Sequence, residues 1–249
     1  INKLIPTTRM ICNDLIDRFI GDETCDAAVD FAQHIPVRVI AGMLGLPPSD
    51  GEMFRGWVHG LVEEAILDDA TMVRTLSEMT AYLLDHVEQR RRSPADDLIS
   101  YLAADRIDGA PLTDNHILGT LRLLLIAGID TTWSGIGACL WHLAKTPADR
   151  RRLVAEPALM QTAIEEFLRA YSPVTMARLV AKDTVVGGCP YEKGQMVLLS
   201  FPAANRDPAA FPGAAKGPLA REANRHAVFG PGARRSAGPT RGRWGGTVR

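Results

Sequence analysis

The chain has 249 residues, of which 46% are hydrophobic and 23% are charged, as in a globular protein of one or two domains. Its formal net charge is −1, so the charge balance gives no indication of nucleic acid or an anionic membrane as a partner. The longest uninterrupted apolar run, Leu123 to Ala127, is far shorter than a membrane-spanning helix, and no signal peptide is apparent. The cysteines show neither zinc-site nor dithiol spacing, which predicts four buried or half-buried thiols in a reducing cytoplasm: Cys12, Cys25, Cys139 and Cys189.

The N-terminal part, residues 1–112, has mostly helical periodicity. Apolar residues recur at three- and four-residue spacing from Leu4 to Ile20 and from Thr71 to Arg92. A third apolar helical stretch, Val29 to Leu46, is interrupted at Pro36. The chain opens on Ile1 and is already in a helical pattern by Leu4, so we expect it to be a fragment.

The longest predicted helix follows the N-cap residue Thr113 and runs without proline to Lys145. About 32 residues at about 1.5 Å each give roughly 48 Å, the width of a whole domain. From Leu121 to Leu140 the sequence is apolar nearly all round, which predicts a helix that runs through the core. Thr146 and Pro147 restart a short helix, and a further helix is predicted from about Ala158 to Tyr171.

After Pro173 the periodicity changes to that of strands. Ala177 to Ala181 and Gln195 to Ser200 are predicted strands, separated by glycine and proline turn signals. Phe201 to Ala223 has no periodicity and is predicted to be an ordered meander. The last residues, 239–249, have a composition typical of disorder.

A polar turn interrupts the apolar middle of the long helix, with the sequence Ala127-Gly128-Ile129-Asp130-Thr131-Thr132. Glycine costs a helix up to about 1 kcal/mol against alanine, and a buried carboxylate carries a desolvation penalty unless it is paired or wetted. Threonine hydroxyls can bond back to helix carbonyls and bend the helix. Such a turn is expected where a bound group lies against the helix and receives protons. The alternative is a polar turn that only lines a cavity.

Charged residues after the long helix are weak signals when they are taken singly. Glu166 and Arg169 lie three residues apart on one helix face and can pair, but surface pairs of this kind contribute only about 0.3–0.5 kcal/mol. Arg178, His226 and Arg234 are each, in isolation, expected to be ordinary surface bases.

The segment Phe229 to Gly238 reads FGPGARRSAG, and its glycines permit a tight backbone approach to a flat group. It resembles the haem-ligand loop of the cytochrome P450 superfamily, Phe-Gly-x-Gly-x-Arg-x-Cys-x-Gly, with Ser236 at the cysteine position. The polar turn resembles the oxygen-binding turn of that family, and Glu166-Phe-Leu-Arg169 resembles its Glu-x-x-Arg element. The resemblance covers residues 1–238 and is closest in style to soluble bacterial members.

This resemblance implies a fold and a function. The fold would be mainly α with a small β region, a cytochrome P450 fold truncated at both ends. The chain would derive from a haem-dependent monooxygenase with haem b, which inserts one oxygen atom of dioxygen into an apolar organic substrate. A ferredoxin or a flavoprotein would donate two electrons, and the enzyme would be cytoplasmic.

The resemblance also implies roles for single residues. Asp130 and Thr131 would deliver protons to dioxygen, for which Ala127 and Gly128 would leave room. Glu166 and Arg169 would form a structural network with Arg221. Arg178, His226 and Arg234 would bind the haem propionates. The remaining haem contacts would be Phe229, Gly232 and the axial position, Ser236.

Ser236 is the main departure from the family pattern. A serine hydroxyl is hard and usually neutral, so it replaces a soft thiolate poorly as an iron ligand. Two accounts compete. A reading-frame or sequencing error near residues 231–238 explains both the missing cysteine and the Gly/Arg-rich tail in one event, and we favour it. A true Cys→Ser change needs a second explanation for the tail.

We therefore expect a single incomplete domain in five segments. These are a helical part (1–112), the central helix with the Glu-x-x-Arg helix (113–172), the β region with the meander (173–228), the ligand loop (229–238) and an aberrant tail (239–249). Two other functions remain open: a non-catalytic remnant or haem- or ligand-binding module, and a helical interaction domain without a cofactor.

Overall fold

A computed structural model describes residues 4–64, 68–214, 219–221 and 224–230. The described residues are mainly helical with three small antiparallel sheets, which confirms the predicted mainly α class with a small β region. The chain divides into two compact units, and the boundary lies after Gly137 within the long helix.

The first unit is built from helices and one short hairpin. Its elements are α1 (Leu4–Phe19), a π-helix (Ala27–Ala32), α2 (His34–Leu44), a 3₁₀ turn (Pro48–Asp50), α3 (Gly51–His59), a second π-helix (Gly60–Glu64), α4 (Asp69–Arg92), α5 (Leu98–Ala104), β1 (Arg106–Ile107), β2 (Ala110–Pro111) and the first part of α6 (Asp114–Lys145). Asp68 caps α4 by accepting hydrogen bonds from the backbone N–H groups of Ala70 and Thr71. α3, α5 and the β1–β2 hairpin were not predicted.

The core of the first unit forms where the apolar stripes of α2, α3, α4, α5 and α6 meet. Buried side chains from each of these helices form one contiguous cluster, among them Leu44, Phe54, Leu83, Ile99 and Leu121. Burying a side chain of this size stabilises the fold by about 1.5–3 kcal/mol relative to exposure. A smaller cluster of Cys12, Leu15 and Ile35 joins α1 to α2.

The long helix α6 begins and ends at the predicted residues, but it lines the core with one face and does not run through it as predicted. It buries one stripe, whose members recur at helical spacing: Ile117, Leu118, Leu121, Leu125 and Ile129. Leu123 is 65% exposed, and residues 130–140 are only half-buried. α6 is also long and apolar enough to cross a membrane by length and composition, a property that central helices of globular proteins share. The longest uninterrupted apolar run, Leu123 to Ala127, does not reveal this property of the helix.

The second unit contains the end of α6, α7 (Pro147–Ala155), a 3₁₀ turn (Pro157–Leu159), α8 (Met160–Ala170), β3 (Thr175–Leu179), β4 (Thr184–Val186), β5 (Cys189–Tyr191), β6 (Met196–Ser200) and α9 (Phe201–Ala204). β3 pairs antiparallel with β6, with Ala177 opposite Leu198. β4 and β5 form a hairpin around Gly187 and Gly188, whose positive φ angles suit a two-residue turn.

A hydrogen-bonded triad fastens the helices of the second unit together. His142 near the end of α6 contacts the Tyr171 hydroxyl through Nδ1 at 2.7 Å and an Asp149 carboxylate oxygen through Nε2 at 2.8 Å. Because a carboxylate only accepts hydrogen bonds, Nε2 must carry the hydrogen. Leu153, Ala163, Phe167 and Leu219 form the small core beside this triad.

Candidate functional site

The polar turn of α6 has one open side. Ala127 is exposed and Thr131 is half-buried, and they lie one helical turn apart on the same face. The Thr131 hydroxyl donates to the Ala127 carbonyl oxygen at 2.8 Å. The helix is continuous through this turn, so the back-bond does not open it. A group that approached this face would meet the oxygen of a threonine hydroxyl.

Asp130 lies in the same turn and is half-buried. Burial raises the pKa of its carboxyl above the ordinary value, and the charge of Glu63 adds to that increase. A hydrogen bond with the Trp133 side chain acts in the opposite direction but does not cancel the effect of burial. Asp130 therefore holds a proton more readily than an exposed aspartate does.

Gly128 has a packing role that the sequence did not indicate. A Cβ at this position would lie 2.6 Å from Cδ1 of Ile40, which projects from α2. The absence of a side chain lets α2 and α6 approach closely, as glycine does elsewhere at crowded contacts. The role of Gly128 in leaving room for dioxygen stays a prediction.

Glu166 and Arg169 form a buried ion pair, with side chains 1% and 0% exposed. Among the described residues of the second unit, no other ion pair is as completely buried. Arg169 donates two hydrogen bonds to the Glu166 carboxylate, both at 2.8 Å, and others to the backbone oxygens of Asn205 and Ala214. Arg221 Nε donates to the same carboxylate at 3.1 Å. The structure thus brings together the three residues that the sequence proposed as a network.

Asn224 and Asn205 extend this network and were missed from the sequence. Asn224 donates to Glu166 at 3.0 Å, and the Asn205 side chain accepts from the backbone N–H of Ala227 at 2.7 Å. These contacts fix the segment that leads to the proposed ligand loop. Because 58 residues separate Asn224 from Glu166, no local sequence pattern could indicate the contact.

Arg178 lies exposed on β3, and its guanidinium contacts its own strand. It donates to the Ala177 carbonyl oxygen at 2.8 Å and lies 3.7 Å from the sulfur of Met176. It also lines an open depression of about 280 Å³ together with Lys182 and Val197. An exposed guanidinium on this strand can bind a carboxylate with two parallel hydrogen bonds.

His226, a further proposed haem contact, is almost completely buried, with its side chain 1% exposed. Its Nε2 lies 3.2 Å from a carboxylate oxygen of Glu165. Its Nδ1 is buried without a hydrogen-bond partner in the described part of the chain. The Phe229 ring lies 5.9 Å from the imidazole, and Gly230 follows with a φ of 82°. Gly232, Arg234 and Ser236 lie outside the described residues.

The thiols do not fit the role of an axial iron ligand. Burial raises the pKa of the Cys139 thiol to about 12 and also raises that of Cys12, so both are neutral thiols. Cys25 lies in the loop before the first π-helix and Cys189 lies on β5, and both are exposed, so the prediction that all four thiols are at least half-buried was wrong for these two. Within the described ranges no cluster of His, Cys, Asp and Glu could hold a metal ion. The exposed guanidinium of Arg178 fits a porphyrin's carboxylates, but a thiolate–iron bond does not fit the chain with Ser236.

Comparison with known proteins decides the family. The family model of cytochrome P450 matches residues 10–216, more than half of the chain. The chain belongs to the cytochrome P450 family. Members of this family are haem-thiolate enzymes that use haem b, and monooxygenation is their general activity. The resemblance inferred from the loop, the polar turn and the Glu-x-x-Arg element is thus confirmed.

Individual relatives are bacterial P450s. The chain is 35% identical over 235 residues to cytochrome P450 CYP107DY1 of Priestia megaterium (strain ATCC 12872 / QMB1551), which covers 93% of this chain and 57% of the relative. It is also 35% identical over 234 residues to the vitamin D(3) 25-hydroxylase of Pseudonocardia autotrophica, covering 93% of this chain and 58% of that enzyme. The chain therefore spans somewhat more than half the length of these relatives.

Solved structures show the same fold. The P450 PksS of the Bacillus subtilis 168 bacillaene polyketide synthase superposes with a TM-score of 0.94 at 29% identity, over 99% of this chain and 64% of that one. CYP109E1 from Bacillus megaterium in complex with testosterone gives a TM-score of 0.88 at 31% identity, over 98% and 68%. The predicted cytochrome P450 fold is confirmed, and the partial coverage agrees with the expectation of a fragment.

Proposed function

We propose that this chain is part of a bacterial, cytoplasmic haem monooxygenase that hydroxylates an apolar organic substrate. The observation that supports this best is the α6 turn, where a threonine hydroxyl and a carboxyl that favours its proton occupy one helical turn beside an exposed alanine. Burying a carboxyl and a hydroxyl on a helix face costs free energy that apolar side chains would not cost. By analogy with the family, the reaction would also use dioxygen and two electrons from a ferredoxin or flavoprotein donor.

The haem, when bound, supplies the oxidising chemistry, and the residues of this chain bind it and handle protons. Burial raises the pKa of the Asp130 carboxyl, which makes it a better proton carrier than an exposed aspartate, and Thr131 would offer its hydroxyl oxygen as the neighbouring acceptor. The Thr131 hydroxyl would have to release its back-bond to the Ala127 carbonyl before it could donate to a group lying against this face. Arg178, His226 and Arg234 would bind the propionates, and Phe229 and Gly232 would lie against the ring.

The matched pair Thr131→Ala and Thr120→Ala tests the role of the turn. Both threonines lie on α6 and donate a 2.8 Å hydrogen bond to the carbonyl oxygen four residues earlier, but Thr120 lies on an exposed surface. In a haem-loaded chain that carries Ser236→Cys, supplied with electrons, Thr131→Ala should lower the product formed per electron consumed. Thr120→Ala should not. Equal coupling in both variants would refute the proton-delivery role of Thr131.

Ser236 supports a second candidate function, a non-catalytic remnant or a haem- or ligand-binding module. With serine at the axial position the chain offers no thiolate to iron, so the oxidising chemistry of the family would be lost. Sequencing the gene across the codons for Phe229 to Arg249 separates the two candidates. A one-base insertion or deletion whose correction restores cysteine supports the monooxygenase, and an unchanged serine codon supports the remnant.

A further inference from the structure

The ribbon of β3 and β6 presents large apolar side chains to solvent on one of its faces. Leu179 lies opposite Met196, and Leu198 follows Met196 by two residues, so all three share a face. They are 69%, 75% and 68% exposed, in the order Leu179, Met196 and Leu198. Arg178 lies opposite Val197 and belongs to the other face. Contiguous exposed apolar surface of this kind indicates a contact surface.

β6 also has an edge without a strand beside it. Among the described residues β6 pairs with β3 alone, in a sheet of two strands. A two-stranded ribbon is at best marginally stable by itself, and sheets gain independent stability from a third strand or a packed helix. The backbone N–H and C=O groups along an open edge form a template on which another strand can pair. The edge of β6 is therefore a place where a further strand can bind.

The sequence of β6 lacks the features that protect strand edges against pairing. Protected edges carry charges or proline, contain bulges or are very short. β6 is a five-residue strand, Met196–Ser200, with neither a charge nor a proline. β3 is equally long but carries Arg178, whereas β5 contains Pro190 and β4 has only three residues. Among the described strands of the second unit, β6 thus has the least protected edge.

The β6 strand of a second copy of this chain fits that edge. β6 can pair antiparallel with itself about a two-fold axis at Leu198, which then lies opposite its own copy. No charge meets another charge in this pairing, because residues 194–205 carry none. A charged segment would have to give up hydration to lie along this neutral edge, which disfavours the arginine-rich residues 239–249 as its occupant. The other opposite pairs would join neutral side chains: Val197 with Leu199, and Met196 with Ser200.

We propose that the β6 edge is a self-association surface, through which two copies of this chain form one four-stranded antiparallel sheet in the order β3–β6–β6–β3. The outer edges of that sheet would be the two β3 strands. Because Arg178 places a charge on each outer strand, association should stop at a dimer. The pairing leaves the face that carries Arg178 open, so this inference goes beyond the proposed function and does not depend on it.

Sedimentation equilibrium of the full chain tests the association. The unmodified chain should have a mass of twice 27.1 kDa. Leu198→Lys would place two like charges opposite each other on the two-fold axis and should restore the mass of a single copy. Val186→Lys should remain a dimer, because Val186 is similarly exposed, at 62%, but lies on β4. A single-copy mass or an open-ended series of masses for the unmodified chain would overturn the inference, and so would equal masses for the two variants.

Disulfide cross-linking tests the register, and it stands even if Leu198→Lys does not fold. The exposed thiols are first removed by Cys25→Ser and Cys189→Ser. Leu198→Cys then brings two thiols opposite each other, with Cα atoms about 4.5–5.5 Å apart, which a disulfide spans. Leu179→Cys, equally exposed on β3, lies at least three strand spacings, roughly 14 Å, from its own copy. Oxidation should cross-link the Leu198→Cys chain into a covalent dimer and leave the Leu179→Cys chain single; equal cross-linking of both, or none in the Leu198→Cys chain, would overturn the inference.

Discussion

Removing the carboxylate of Glu166 should destabilise the second unit more than any exposed charge substitution does. Glu166 accepts hydrogen bonds from Arg169 Nε and Nη2, Arg221 Nε and Asn224 Nδ2, at distances from 2.8 to 3.1 Å. Glu166→Ala would leave the guanidinium of Arg169 charged, 0% exposed and without its counter-ion. Breaking such a buried pair costs about 3–5 kcal/mol. That is a large part of the roughly 5–15 kcal/mol by which a domain is stable.

Urea unfolding followed by the helical circular dichroism signal measures this loss. Glu156→Ala is the control, because it removes a glutamate from an i,i+4 pair with Arg152 whose side chains are 44% and 55% exposed. An exposed pair of this kind contributes at most about 1 kcal/mol. If both variants lose the same small free energy of unfolding, the reasoning about the buried network is wrong.

Two further predictions concern the core and the thiols. Gly128→Ala should destabilise the chain by about 1–3 kcal/mol through overpacking against Ile40, an effect that the higher helix propensity of alanine offsets by up to about 1 kcal/mol. In thermal melts, Ile40→Val should reduce the destabilisation caused by Gly128→Ala, because valine lacks the clashing Cδ1 atom. Equal destabilisation by Gly128→Ala with and without Ile40→Val would contradict this contact. Cys25 and Cys189 should react rapidly with a thiol reagent in the native chain. The buried Cys12 should react only after unfolding, and the half-buried Cys139 should react much more slowly than the exposed pair, because burial raises the pKa values of both thiols. Native labelling of Cys139 as rapid as that of Cys25 would contradict this.

Local signals predicted the helices well, because capping and periodicity act within a few residues. α6 spans Asp114–Lys145, as expected from Thr113 and the long apolar run, and the fold class follows from such elements. The β1–β2 hairpin was missed although Asp108 and Gly109 have positive φ angles, which the Asp-Gly signal could have indicated. The one-sided burial of α6 was mispredicted because an all-round apolar sequence does not specify which faces other elements cover.

The contacts that define the site could not be predicted from local patterns. Gly128 packs against Ile40 and Glu165 lies against His226, and each contact joins distant parts of the sequence. Glu165 differs from Glu166 by one position on α8, yet the 100° between successive helical residues directs the two carboxylates to different partners. Only the folded arrangement distinguishes the glutamate of the structural network from the one beside the histidine.

The most direct test of the account compares the haem-loaded chain with its Ser236→Cys variant in the reduced, carbon-monoxide-treated state. The account predicts that the variant shows the red-shifted Soret band of thiolate ligation and that the chain with serine does not. A thiolate band from the serine chain would contradict the assignment of the axial position to residue 236. Absence of the band from a variant that is fully loaded with haem would contradict it as well.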